Sequence, residues 1–301
     1  MTGSRRPTES TAPGDAPRAS RSATSPVSAA APTSESASAW SAELAFAIDT
    51  AAAAGAILMD HYEQLERIDY KSARDVVTEA DHLSEALVIA AIRDRFPGDA
   101  ILAEESGAHA ARDARPVNGR VWVIDPLDGT VNYANGLPVF CVSIGFVVDG
   151  RPVAGAVRDP TRAETFAAAA DGPATLNGRA IGSSTKDKLS DGVISLSLAG
   201  RSAPSRGRAI RREIRIARSM GSASLALAYV GNGRFDAFVQ ESGMSAWDVA
   251  AAGLVAERAG ATVTAFDGSA WYDPVRPTRT VGTIAAPAAF HARLLALANR
   301  R

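Results

Sequence analysis

The stretch Val121-Trp122-Val123-Ile124-Asp125-Pro126-Leu127-Asp128-Gly129-Thr130 decides how this chain is read. Its first four residues form a short continuous apolar run, as expected of a strand buried on both faces. The turn that follows places two carboxylates, Asp125 and Asp128, at the strand's end. Neighbouring carboxylates repel and raise each other's pKa unless a cation neutralises them. A donor set of oxygens, without His or Cys, suits a hard ion, Mg2+ above all. Gly129 and Thr130 add backbone N–H groups where a helix can begin, which favours an anion. A buried strand, an acidic turn and an N–H-rich helix start can together hold a metal ion against a phosphate.

Working outward, three more acidic clusters fall at element ends. Glu104-Glu105-Ser106-Gly107 follows a short apolar stretch at 100–103, and Asp75 and Asp81 bracket Val76-Val77-Thr78 ahead of a helix expected over 83–95. Asp248 follows Trp247 at the start of a helix expected over 249–259, with Gly260 as its C′ residue. Helical spacing also runs from Ser41, a candidate N-cap, to about Glu66. Strands expected at 139–148 and 151–157 flank Asp149-Gly150, a two-residue hairpin signal, and Asp171-Gly172 and Asn177-Gly178 mark further turns. Strands at 193–198, 235–239 and 261–266 alternate with a helix at 223–230. The interleaving predicts a layered α/β protein over 40–301, in two lobes of about 40–185 and 186–301.

Composition excludes several classes. Lys and Arg number 32 and Asp and Glu 33, so the net charge of −1 gives no case for nucleic acid or an anionic membrane. The one cysteine, Cys141, excludes intramolecular disulfides and Cys-rich zinc sites, and its apolar neighbours predict a core position. Four scattered histidines form no i, i+4 pair, and His61 and His82 are expected to be structural. No uninterrupted apolar run reaches the roughly 18 residues of a membrane span, so a cytoplasmic protein without a transmembrane helix is expected. Ser, Thr, Ala and Pro fill 28 of residues 1–39, which predicts a disordered tail; its four arginines leave an organellar transit segment as the alternative. There is no P-loop, nucleophile elbow or dinucleotide fingerprint.

Together, Asp75-Val-Val-Thr-Glu-Ala-Asp81, Ala103-Glu-Glu-Ser-Gly107, the run from Val121 to Tyr133 and Trp247-Asp-Val-Ala-Ala-Ala-Gly253 resemble the motifs of the inositol monophosphatase family, Mg2+-dependent and lithium-sensitive phosphatases. They stand in family order, and the resemblance covers about residues 40–300. It implies the layered α/β sandwich shared with fructose-1,6-bisphosphatase, usually as a homodimer. It further implies that Glu104, Asp125 and the Leu127 carbonyl hold a first Mg2+ that activates water. Asp125, Asp128 and Asp248 would hold a second that stabilises the leaving oxygen, and Glu104 a weak third. Thr130, oriented by Asp81, would position the attacking water, while the Gly129 and Thr130 amides grip phosphate. Asp75 would be a supporting residue, and Lys71 would lie near the phosphate.

For the substrate, Gly221-Ser222-Ala223 matches the family segment beside the substrate ring. Glu241, seven residues before Asp248, matches a carboxylate that accepts from a ring hydroxyl, and Asp128 would also face the substrate. The resemblance therefore implies hydrolysis of a small polyol phosphate, myo-inositol monophosphate foremost. Val131-Asn132-Tyr133 stands where nucleotidase relatives carry Lys-Glu, which argues against that activity. Histidinol-phosphate phosphatases of the same fold share the metal motifs and remain an alternative. An alternative of another class is an RNA or transcription accessory factor with vestigial phosphatase motifs. Its relevant feature is the basic run Arg201, Arg206, Arg208, Arg211, Arg212, Arg215 and Arg218, opposed only by Glu213. The intact carboxylate set argues against it, because a site relieved of catalysis should lose carboxylates that repel without metal.

Overall fold

The computed structural model describes residues 38–64, 68–72, 75–106, 119–273 and 281–300. The expected tail thus lies almost wholly outside the described residues. Helix α1 (Ser41–His61) buries Ala47, Ala51, Ala54 and Leu58, spaced so that one small-residue face lies close to a sheet. It stops short of Glu66 because Tyr62 turns extended and Glu63 takes a positive φ. By length and composition alone α1 is long and apolar enough to cross a membrane, contrary to the expectation from uninterrupted apolar runs. In the structure its apolar face covers the first sheet.

A small antiparallel hairpin, β1 (Ile68–Ser72) and β2 (Asp75–Thr78), leads into α2 (Glu79–Arg95). This helix starts four residues before the apolar spacing suggested. The reason is a capping box, in which Thr78 and Asp81 exchange side-chain-to-backbone bonds.

The first sheet contains β3 (Ala100–Ala103), β4 (Arg120–Asp128), β5 (Cys141–Val148), β6 (Arg151–Asp159), β7 (Glu164–Ala169), β8 (Thr175–Leu176) and β9 (Arg179–Ala180), in that spatial order. Among the described strands of this sheet only the β3–β4 pair is parallel. Asp149 and Gly150 both take positive φ at the β5–β6 turn, as that tight hairpin requires. A short helix, α3 (Thr130–Ala134), follows β4 directly.

The second sheet contains β10 (Val193–Ser197), β11 (Ile216–Arg218), β12 (Ala237–Met244), β13 (Thr262–Ala265) and β14 (Val281–Ala286), ordered β11-β10-β12-β14-β13. Its outer face is covered by α4 (Ala203–Arg211) and α7 (Ala288–Ala298), through Ile210, Phe290 and Leu294 against Ile194, Val239 and Ile284. Between the sheets lie α5 (Ala223–Ala228) and α6 (Ala246–Arg258), with Phe166, Leu225, Phe238 and Val255 in one core. The result is an α–β–α–β–α layered sandwich, the α/β fold class expected.

What lets α6 lie against the first sheet is the absence of side chains beneath it. A Cβ at Gly145 on β5 would come within 2.7 Å of Ala250 Cβ, and one at Gly155 on β6 within 2.8 Å of Ala251 Cβ. Both alanines are fully buried, so neither can yield. Gly155→Val should therefore destabilise the chain by at least about 1–3 kcal/mol, the cost of overpacking a tight core. Urea unfolding checks this, and an unchanged midpoint would mean that the helix rides on a looser contact.

Candidate active site

The acidic clusters meet where the carboxyl end of β4 faces the start of α6. Asp125, Asp128 and Asp248 each offer an oxygen within 4.8 Å of the others. Asp125 is 1 % exposed and its carboxyl is pushed well above the usual range, first by burial and then by the charges of Glu104, Asp128 and Asp248. Burial also raises Asp128, but donors oppose that effect. Its Oδ2 accepts from the Ser222 hydroxyl at 2.5 Å and from the Ser224 amide at 2.7 Å, where α5 begins. One of its oxygens is thus held by the second half of the chain.

Each surrounding element has a sequence reason for its place. Asp248 is the N3 residue of a capping box with Ser245, so the bond that starts α6 also fixes this carboxylate. Asp81 does the same at α2: its Oδ2 takes the Thr78 amide and hydroxyl at 2.8 and 2.6 Å. Its other oxygen lies 3.3 Å from the Thr130 hydroxyl, which also donates to the Leu127 carbonyl at 2.9 Å. Gly129 turns the chain between Asp128 and Thr130 at φ +95°, and a Cβ there would meet the Val139 carbonyl oxygen at 2.9 Å. Gly221, at φ +76°, is packed against Asn132, whose amide bridges the Val139 and Met220 carbonyls.

The cleft beside the carboxylates has a volume of about 250 Å3 and is lined by Asp128, Asp248, Gly221, Ser222 and Ala223 together with serines 195, 197 and 219 and Gln240. Glu104 follows β3, its amide donating to the Ile124 carbonyl at 3.2 Å, outside the tight trio but close enough for its charge to act on Asp125. Glu241 is placed elsewhere. Both of its oxygens accept from Arg206 Nη2, at 2.8 and 2.7 Å, and it does not line the cleft. Arg206 is 6 % exposed, and a cation so buried requires a carboxylate partner. Lys71 and Asp75 fall on β1 and β2, and their side chains lie outside the described residues.

Two supporting residues were missed in the sequence. Glu85 accepts from the amides of Glu105 and Ser106, both at 2.8 Å, and so shapes the loop that carries Glu104. Ser84 donates to the Pro126 carbonyl at 2.9 Å and pins the acidic turn. The available signal was their register: Asp81, Ser84 and Glu85 share the buried face of α2 with Val88 and Ile92.

Comparison with known proteins gives the chain's family. The family model described as "Inositol monophosphatase family" matches residues 40–301. The chain belongs to the inositol monophosphatase family. A Pseudomonas aeruginosa protein named "Nus factor SuhB" is 36% identical over 75% of this chain and 86% of its own length. A Synechocystis "Inositol-1-monophosphatase" is 37% identical over 74% and 79%. The solved structure of the Thermotoga maritima IMPase superposes with a TM-score of 0.76 at 30% identity, covering 86% of this chain and 97% of its own.

Inositol monophosphatase family members are phosphatases that generally depend on Mg2+, and the residues present here fit that ion. The donors are carboxylate oxygens, and the burial and neighbouring charges that raise Asp125 are a cost that a bound cation would offset. Since the folded chain raises the Asp125 pKa, ionisation of this group opposes folding. Its contribution is fully present at pH below the ordinary carboxylate value and is lost as pH rises through the raised one. In EDTA at pH 7, Asp125→Asn should therefore raise the melting temperature by about 2–4 °C for each kcal/mol of repulsion removed. The difference should vanish near pH 4, and Mg2+ should stabilise the parent chain but not the variant. Scanning fluorimetry checks this, and a variant less stable than its parent in EDTA would refute the repulsion.

Proposed function

We propose that this chain is a Mg2+-dependent phosphomonoesterase that hydrolyses a small polyol phosphate, myo-inositol monophosphate foremost, to the polyol and inorganic phosphate. The observation that carries this reading is the convergence of Asp125, Asp128 and Asp248 beside a cleft whose lining includes four serines and Gln240. The relatives named inositol-1-monophosphatase support the substrate class.

Asp125, Asp128 and Asp248, with Glu104 and the Leu127 carbonyl, would hold Mg2+, which when bound makes water a better nucleophile and offsets charge on the phosphoryl and leaving oxygens. The chain's own groups do the positioning. Thr78 fixes one oxygen of Asp81, so the other can orient the Thr130 hydroxyl toward the attacking water. The left-handed turn at Gly129 sets the Thr130 amide next to Asp128, where a phosphate oxygen can accept it. Ser195, Ser197, Ser219 and Gln240 offer donors and acceptors to polyol hydroxyls, and an analogue lacking one would leave them unpaired. No covalent phosphoenzyme is expected. Cys141 is fully buried, and desolvation pushes its thiol well above the usual range, so it is no nucleophile.

A panel of inositol-1-phosphate, histidinol phosphate, fructose-1,6-bisphosphate and 3′-phosphoadenosine-5′-phosphate tests the substrate. We expect kcat/KM for the first to exceed the others by about tenfold or more, and comparable values would make the chain a generalist. Asp125→Asn should cut Mg2+-dependent phosphate release by at least about a hundredfold with the circular dichroism spectrum unchanged. Retained activity would remove the carboxylates from catalysis.

A further inference from the structure

We propose that the outer face of α4 carries a binding site for a small, multiply phosphorylated ligand, separate from the carboxylate cleft. The site is a cavity of about 410 Å3 lined by Ser205, Arg206, Arg208, Ala209, Arg212 and Arg300. Among the described residues that line it, four of six are arginines, none is acidic, and none lines the carboxylate cleft. Ser205, Arg208, Ala209 and Arg212 follow i, i+3, i+4, i+7 spacing, which puts them on one helical face. Arg300 comes from just beyond α7, the helix that packs beside α4.

Some arginines near this cavity are already neutralised by a carboxylate. Arg206 has Glu241 at 2.7 Å, Arg215 has Asp191 at 2.8 Å, and Arg293 has Glu213. The side chains of Arg208, Arg212 and Arg300 are exposed and, among the described residues, have neither an ion pair nor a hydrogen bond; Arg201 and Arg211 share that state, but only the first three line this cavity. Three unneutralised guanidinium groups around one cavity repel one another, and an anion between them removes that cost. Arg206, which also lines the cavity, is 6 % exposed and its Nε has no hydrogen-bond partner among the described residues, an uncommon state for a buried cation.

The chemistry of the ligand follows from the donors. Guanidinium groups bind phosphate in a bidentate, planar geometry, and several around one cavity favour several closely spaced phosphates over one. The volume suits one small molecule. Ser205, whose hydroxyl donates to the Ser202 carbonyl at 2.8 Å, keeps acceptor capacity for a ligand hydroxyl.

Calorimetry on the full chain in EDTA, with inorganic tripolyphosphate as the probe, tests this site while the carboxylate cleft repels anions. One tripolyphosphate should bind per chain, more tightly than orthophosphate. Arg208→Ala/Arg212→Ala should weaken binding at least about tenfold, since each loses a charge-assisted phosphate contact. Arg201→Ala/Arg211→Ala removes the same charge from exposed positions outside the cavity and should change Kd by no more than about twofold. Both double variants should keep the parent melting temperature and the parent turnover in Mg2+. Three outcomes would overturn the proposal: no binding, equal weakening by both pairs, which would mean a diffuse positive field, or affinity for single-stranded RNA that exceeds that for tripolyphosphate and grows with length.

Discussion

Three carboxylates with oxygens inside 4.8 Å of one another cannot all be ionised at low cost, and the layers around them are arranged to hold them there regardless. Each is tied by a bond that also has a structural use. Asp248 starts α6 by closing a capping box, Asp128 receives the first turn of α5, and the Leu127 amide donates to Asp125 Oδ1 at 3.1 Å within the turn itself. Because these bonds terminate helices and shape a turn, the carboxylates cannot separate without loss of secondary structure. The repulsion is thus stored by the fold and remains available to a cation. The two aspartates differ in surroundings: burial and then the neighbouring carboxylates raise Asp125, whereas Ser222 and three α5 amides oppose the effect of burial on Asp128.

The parts of this arrangement that are local in sequence were legible there. The run from Val121 to Thr130 is β4 and the start of α3, with the expected turn at Asp125–Asp128 realised as an irregularity in the strand's pairing with β5 rather than as its end, and the Asp149-Gly150 hairpin lies where the dipeptide placed it. Helices α2 and α6 began earlier than apolar spacing suggested, because a Thr or Ser cap with Asp three residues on outweighs periodicity in the first turn. Long-range pairings were not legible. Nothing near Glu241 in sequence announces that Arg206, 35 residues away, will take both of its oxygens. Likewise, Glu85 acts on a loop 20 residues away and can be found only by asking why a carboxylate sits on a buried helical face. The alanine-rich α1 shows the reverse case. Its composition alone fits a membrane span, and only the sheet beneath it gives that apolar face a partner.

The site also depends on atoms that are absent. Asp248 reaches Asp125 because α6 approaches the first sheet closely, and it does so because Gly145 and Gly155 present no side chain to Ala250 and Ala251. Ala250 lies two residues after Asp248 in the helix, so a displacement at the glycines is passed on almost undiminished to the carboxylate. Ser143, two residues before Gly145 on the same strand, donates to the Trp247 carbonyl at 3.2 Å and fixes the helix at its first turn. The seat of α6 on β5 and β6 is therefore fixed by one hydrogen bond and two missing side chains, one on each strand. A shift of about 1 Å at catalytic groups is enough to cost orders of magnitude in rate, so these glycines bear on chemistry they never touch.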